Sequence, residues 1–378
     1  MAALRRDLDA RPVIAIAGLV GVLGAIALVV GCIVEPERAF AAYLAVWTAV
    51  ITVAVGGLAM LLIGHAANAR WPAVIRRVSE AVALGCLPAA LLGIPLLIWP
   101  EHVWPWVGEH KNAYLTLPFF IPRSVVYLVI FVVPAELLRR WSRRRDETAS
   151  IELDRERAFS SAMLPVVGLA LTFGSFDWLM SLQPDWWSSA FGLYVICAAL
   201  LSGLAMIVVL AWRGVATRSM PLTGGHFHAM GRLLHAYVIL WTYIAYFQAM
   251  LIQIANRPNE ATFYVARSHD GWRFITALLL ILTFALPFPL LFPRRLKRRP
   301  AYVGWIAVML LVAHYIDMWW LVVPRVSPVP VPSWTDLAAL CALGGLTTCA
   351  CAWRMRGTPL LPVGDPYLAD GLAYETTT

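Results

Sequence analysis

Residues 12–34 read PVIAIAGLVGVLGAIALVVGCIV, an apolar run without a single charge. A hydrocarbon core of ~30 Å is crossed by about 20 apolar residues in helix, so this run is long enough to span. Runs of the same kind recur near 39–65, 78–99, 113–138, 160–182, 190–212, 231–254, 274–292, 301–323 and 334–353. With 60% hydrophobic residues, 14% charged and a mean hydropathy of +0.72, no stretch is left for a soluble domain. The expected class is an all-α integral membrane protein with ten transmembrane helices. The first run is too long for the apolar core of a secretory signal, although Ala39-Phe40-Ala41 resembles a cleavage site.

Orientation follows from the basic residues. With the N-terminus assumed cytoplasmic, the segments on that side hold Arg5, Arg6 and Arg11, then Arg70, Arg76 and Arg77, then seven arginines from Arg139 to Arg157. Further along they hold Arg213, Arg218 and Arg232, then Arg294 to Arg299 with Lys297, and last Arg354 and Arg356. The opposite side has only Arg38, Lys111, Arg257, Arg267, Arg273 and Arg325, and Arg123 lies within a span. That bias places both termini in the cytoplasm. It also accounts for the net charge of +8, which therefore gives no reason to expect nucleic acid as a partner. The six cysteines (Cys32, Cys86, Cys197, Cys341, Cys349, Cys351) all fall in spans, form no C-x-x-C and read as small core residues rather than metal ligands.

The chain also repeats itself. Arg77-Val-Ser-Glu80-Ala81 parallels Arg232-Leu-Leu-His235-Ala236, and Arg139-Arg140-Trp-Ser-Arg143-Arg144 parallels Arg294-Arg295-Leu-Lys-Arg298-Arg299, both at an offset of 155 residues. Asp177 precedes Pro184 by seven residues, as Asp317 precedes Pro324. An even number of spans per unit makes this a parallel repeat. The expected architecture is two four-helix bundles, spans 2–5 (residues 39–185) and spans 6–9 (186–325), flanked by a first helix (1–38) and by a last helix with a cytoplasmic tail (326–378). Gly56, Gly57, Gly168, Gly174 and Gly203 would let helix backbones approach closely.

Ionisable residues within spans cost at least ~2.5–3.5 kcal/mol on insertion scales, so each needs a reason. Reading depth at ~1.5 Å per residue gives two polar layers. Glu80, His65, Glu136 and His235 sit near the cytoplasmic side; Asp177, His314, Asp317 and Arg123 lie in the outer half. Asp177 is either a proton carrier or the partner of Arg123 in a structural ion pair. His314 and Asp317, three apart on one helical face, form either a relay or a satisfied pair. Glu80 either serves an inner half-channel or is held ionised by Arg76 or Arg77. His65 and Glu136 lie close enough to the interface to snorkel. The layers are too far apart for direct transfer. Thr172 and Ser175 extend from Asp177 towards the inner layer, and His235, Thr242, Tyr246 and Gln253 share one face of span 7. His226 and His228 read as solvated loop residues. Haem would need facing histidines at matching depth, for which only His65 and His235 qualify.

Three segments carry a family likeness: Ser175-Phe-Asp177-Trp178 through Gly192-Leu-Tyr194, Trp241 to Gln248 through Asn256-Arg-Pro258-Asn-Glu260, and His314-x-x-Asp317-x-Trp-Trp-x-x-x-Pro324. Over residues ~40–325 the chain resembles the NrfD-like (polysulfide reductase membrane subunit) superfamily, in particular ActF-type subunits of alternative complex III, a bacterial quinol:cytochrome c oxidoreductase. The resemblance implies two four-helix bundles with two flanking helices in a bacterial inner membrane. It implies partners as well: an NrfD-like paralogue, a periplasmic Fe–S protein, and multihaem and monohaem cytochromes c. It also implies a proton path through two half-channels. Ala229, His235, Gln253 and Gln183 depart from the family pattern, which leaves any role of His235 local to this protein. No cofactor-holding motif is visible, so the chain is expected to bind none itself beyond contact with quinone or menaquinone. The rival readings are a stand-alone secondary transporter, whose broken helices would be sought at Pro118, Pro122 and Pro134 or at Pro287 and Pro289, and a structural anchor for periplasmic redox proteins.

Overall fold

The structure, a computed structural model, describes residues 10–108, 113–148, 153–255 and 257–375, so Arg5, Arg6, Lys111 and Asn256 lie outside the described residues. Ten helices are long and apolar enough to cross a membrane: α1 Arg11–Val34, α2 Pro36–Ala66, α3 Trp71–Ile98, α4 Leu117–Glu147, α5 Leu153–Leu182, α6 Phe191–Ala216, α7 Gly224–Ala255, α8 Trp272–Leu290, α9 Pro300–Arg325 and α10 Trp334–Arg354. Among the described residues there is no β-strand. The protein is a multi-pass, all-α membrane protein.

Proline placement shapes the spans. In α2 and α9 it opens the helix, where its missing N–H costs nothing. Pro122 and Pro134 leave α4 unbroken, so the break expected there is absent. α3 is instead a chain of short pieces, Arg76–Ala83, Cys86–Leu92 and Ile94–Ile98. Pro88 has no N–H to offer the Leu84 carbonyl, and that carbonyl takes a hydrogen bond from Arg354 Nη1 at 3.3 Å. Tyr43 and Trp47 of α2 donate to Leu92 O (2.6 Å) and Ala89 O (2.8 Å) in the same irregular stretch. Backbone at membrane depth has to find such partners inside the protein. α8 carries a π turn at Ile281–Ala285 ahead of Pro287 and Pro289.

α2, α6 and α9 are among the most buried spans, and α1, α7 and α8 the most exposed. α2 packs on α3 and α5, and α5 on α4. In the second group α6 packs on α7 and α9, and α8 on α9. The groups meet along α2 and α6, flanked by α5 against α6 and α9 against α2, which are matching contacts under the repeat. The crossing depends on Gly56 and Gly203: a Cβ on Gly56 would lie 1.8 Å from the Ala199 carbonyl oxygen, and one on Gly203 would lie 2.4 Å from the Gly56 carbonyl carbon. Gly168, expected to play the same part, faces open space. α1 pairs with α10 through Gly21 and Gly345, whose backbones leave no room for a Cβ, and the pair leans on α2.

The segment after α10 does not trail away. Residues 355–375 fold back as a strap across the arginine-rich face, with Leu361 and Leu368 buried. Gly364 N donates to Asp146 Oδ1 at 2.9 Å, and Asp370 pairs with Arg70 at 3.1 Å.

Candidate functional site

The outer layer of the first helix group centres on Asp177, which is fully buried. Arg123 of α4 grips it with two prongs: Nε donates to Oδ2 at 2.9 Å and Nη2 to Oδ1 at 2.8 Å. The Tyr127 hydroxyl adds a third bond at 3.1 Å. The guanidinium also lies 3.8 Å from the centre of the Tyr114 ring and 4.1 Å from that of Phe119. A forked, charge-assisted pair of this kind fixes geometry as well as matching charge. It cross-ties α4 to α5.

In the second group Asp317 is partnered differently. Tyr194 of α6 donates its hydroxyl proton to Asp317, and no salt bridge to this carboxylate is found among the described residues. The repeat offset of 155 carries Arg123 onto Leu278, which has no charge to give. Nearby, Gln248 donates to the Tyr264 hydroxyl at 3.2 Å. Arg267, also buried, donates to three carbonyls, Trp320 O at 3.0 Å, Phe263 O at 2.8 Å and Leu321 O at 2.9 Å. Burial pushes the Arg267 guanidinium down to about 9 and the Tyr264 hydroxyl up to about 12. His314 does not pair with Asp317. Its Nε2 meets Thr52 Oγ1 of α2 at 2.8 Å, so the two residues three apart on one helix serve two different neighbours.

The inner layer is a connected set of charges. Arg77 bonds Glu80 at 2.7 Å and also pairs with Asp146. Arg76 pairs with Asp365 of the strap rather than with Glu80. Arg145 bonds Glu156 at 2.8 Å, and His65 Nδ1 lies 3.4 Å from the same Glu156 oxygen. Among the described residues, these three guanidiniums meet four carboxylates: Arg77 serves two of them, and the His65 imidazole stands beside the Arg145–Glu156 pair. The hydroxyls of Ser142, Ser160 and Thr358 are buried nearby in sequence to these groups and have no partner among the described residues. His65, expected to snorkel, is buried instead, and Glu80 is buried too. Glu136 pairs with Arg354 and ties α4 to α10.

Several expected links are not made. The Thr172 and Ser175 hydroxyls donate to their own helix, to Gly168 O at 2.9 Å and Thr172 O at 2.7 Å, so they do not extend Asp177 towards the inner layer. Tyr246 and Gln253 are exposed on the outside of α7, and Thr242 donates to Val238 O at 2.8 Å. His235 sits between Phe288 and Phe292, each ring centre 5.1 Å away, and its Nε2 has no partner among the described residues. His226 and His228 are not solvated loop residues; both are buried in the first turns of α7. His226 bonds Gly371 O of the strap at 2.8 Å. Among the described residues, no group of three His, Cys, Asp or Glu side chains is placed to hold a metal ion.

Sequence reasoning missed Glu156, Arg145, Asp146 and Asp365 as members of the inner layer, and Tyr194, Tyr127 and Thr52 as partners in the outer one. One signal was present: Glu156 stands ten residues after Asp146 within a stretch that holds seven arginines from Arg139 to Arg157. The chain matches no family model, and no curated protein matches it.

Proposed function

We propose that this chain is a proton-handling membrane subunit of a quinol:cytochrome c oxidoreductase of the alternative complex III kind, in a bacterial inner membrane with both termini cytoplasmic. The observation that carries the reading is the asymmetry between two equivalent acids: Asp177 is clamped by Arg123, and Asp317 has the Tyr194 hydroxyl and, among the described residues, no cation. The clamp gives Asp177 a counter-charge inside the protein. A buried carboxyl without a counter-charge is inexpensive only when neutral, and so gains and loses a proton as the charge around it changes. On the inner side, Arg77 serves two carboxylates, Glu80 and Asp146, and Glu156 lies beside both Arg145 and His65, so a proton arriving from the arginine-rich face would meet several ionisable groups in contact. The motifs around Asp177, Trp241 and His314 supply the link to quinol-oxidising complexes. In this reading the chain holds no cofactor of its own, touches quinone or menaquinone, and sits against an NrfD-like paralogue, a periplasmic Fe–S protein and cytochromes c.

Purification of the tagged chain from its native membrane in mild detergent tests the assignment. Co-elution of c-type haem and an Fe–S protein is the expected result. A haem-free, monodisperse single chain would sink it in favour of a secondary transporter.

A further inference from the structure

Where the connection between α8 and α9 meets the start of α7, Lys297, Arg232 and Arg294 gather, and no salt bridge from these three to an acid is found among the described residues. The short helix Arg294–Lys297 presses on α7 closely enough that a Cβ on Gly231 would lie 3.2 Å from Lys297 Cδ, and one on Gly224 would lie 2.7 Å from Arg298 O. Only 7% of the Lys297 surface is exposed. His228, 4% exposed, has a buried Nδ1 without a hydrogen-bond partner among the described residues. The charges acting on His228 are those of Lys297, Arg294, Arg232 and Arg298, all positive. Burial and the charge of Arg232 push the Lys297 ammonium below its usual range, and no carboxylate among the described residues offsets them.

A largely buried lysine with no counter-ion among the described residues is costly unless something else supplies the negative charge. Elsewhere on the same face each buried guanidinium meets its own acid: Arg76 has Asp365, Arg77 has Glu80, and Arg145 has Glu156. The corner at Lys297 is the exception. It lies at the end of three spans, and basic pockets between span ends suit anionic headgroups.

We infer that Lys297, His228, Arg232 and Arg294 form a binding site for a phosphate group, with the phosphodiester of an anionic lipid as its source. An ammonium beside exposed guanidiniums offers several donors to phosphate oxygens, and His228 Nδ1 can add one more.

The test uses the full-length protein in neutral detergent, titrated with phosphatidylglycerol or cardiolipin, with phosphatidylcholine, and with inorganic phosphate. Thermal stability and lipid retention in native mass spectrometry are the readouts. Anionic lipid should stabilise the protein and remain bound, phosphatidylcholine should do neither, and Lys297→Gln or the milder exposed change Arg294→Gln should each weaken retention about fivefold. Arg140→Gln, an equal charge loss at an exposed position elsewhere on this face, should leave retention unchanged. Protection by inorganic phosphate equal to that by lipid would keep the phosphate site and move its ligand into solvent. Equal weakening by Arg140→Gln and both site variants, or no effect from any of the three, overturns the proposal.

Discussion

Tyr194 on α6 donates its hydroxyl proton to Asp317 on α9, and no guanidinium reaches that carboxylate among the described residues. The matching acid, Asp177, has its cation. Two positions that look interchangeable in the repeat are therefore held differently: one by a guanidinium that braces α4 against α5, the other by a hydroxyl.

The brace should behave as an ion pair. Asp177→Asn removes the charge and leaves Arg123 facing a neutral amide. Breaking a buried pair from one side typically costs about 3–5 kcal/mol, whereas replacing both partners with apolar residues is often neutral. Asp177→Asn should therefore lower the melting temperature in detergent, and the double change Arg123→Leu with Asp177→Leu should recover most of the loss. A double variant as unstable as the single would show that the pair is not the source of the effect.

The α2–α6 crossing has no tolerance for size. Gly56→Leu would drive a side chain into backbone, since even a Cβ would lie 1.8 Å from the Ala199 oxygen. Overpacking of this kind costs ~1–3 kcal/mol where neighbours can shift, and more where the obstacle is backbone. Folded protein recovered from membranes should fall sharply with Gly56→Leu and little with Gly168→Leu, which meets nothing within 4 Å. Size-exclusion profiles of the two variants check this.

Much of the fold was legible in the chain, because a bilayer makes apolar length a near-sufficient signal. The partnership of Arg123 with Asp177 was legible as one of two alternatives, since depth alone put the two side chains level. The inner layer was not. Glu156 and Asp146 sit among arginines in a stretch that reads as a solvated loop, and Asp365 lies far along the chain from Arg76, so no local pattern could join them. The histidines misled for the same reason: His226 is buried by Gly371 and its neighbours, and nothing beside it in sequence announces the strap.

That strap covers the inner charges, and ending the chain after Arg356 should uncover them. Ser160 is buried with an unpartnered hydroxyl four residues after Glu156. A Ser160→Cys variant should resist a membrane-impermeant maleimide in the full-length protein and react with it in the shortened one. The reaction should occur from the face that carries the arginine-rich loops. Equal labelling of both proteins would mean that the strap does not close this layer.

The most direct test of the account is Asp317→Asn, with Asp177→Asn beside it, in the purified complex reconstituted into vesicles. The readout is protons moved per electron during quinol oxidation. Asn keeps the shape of the side chain and its bond to Tyr194 but cannot titrate. Asp317→Asn should assemble and oxidise quinol with a clearly reduced proton-to-electron ratio, and in any Asp177→Asn complex that assembles the ratio should stay unchanged. An Asp317→Asn complex with full turnover and an unchanged ratio would contradict the account.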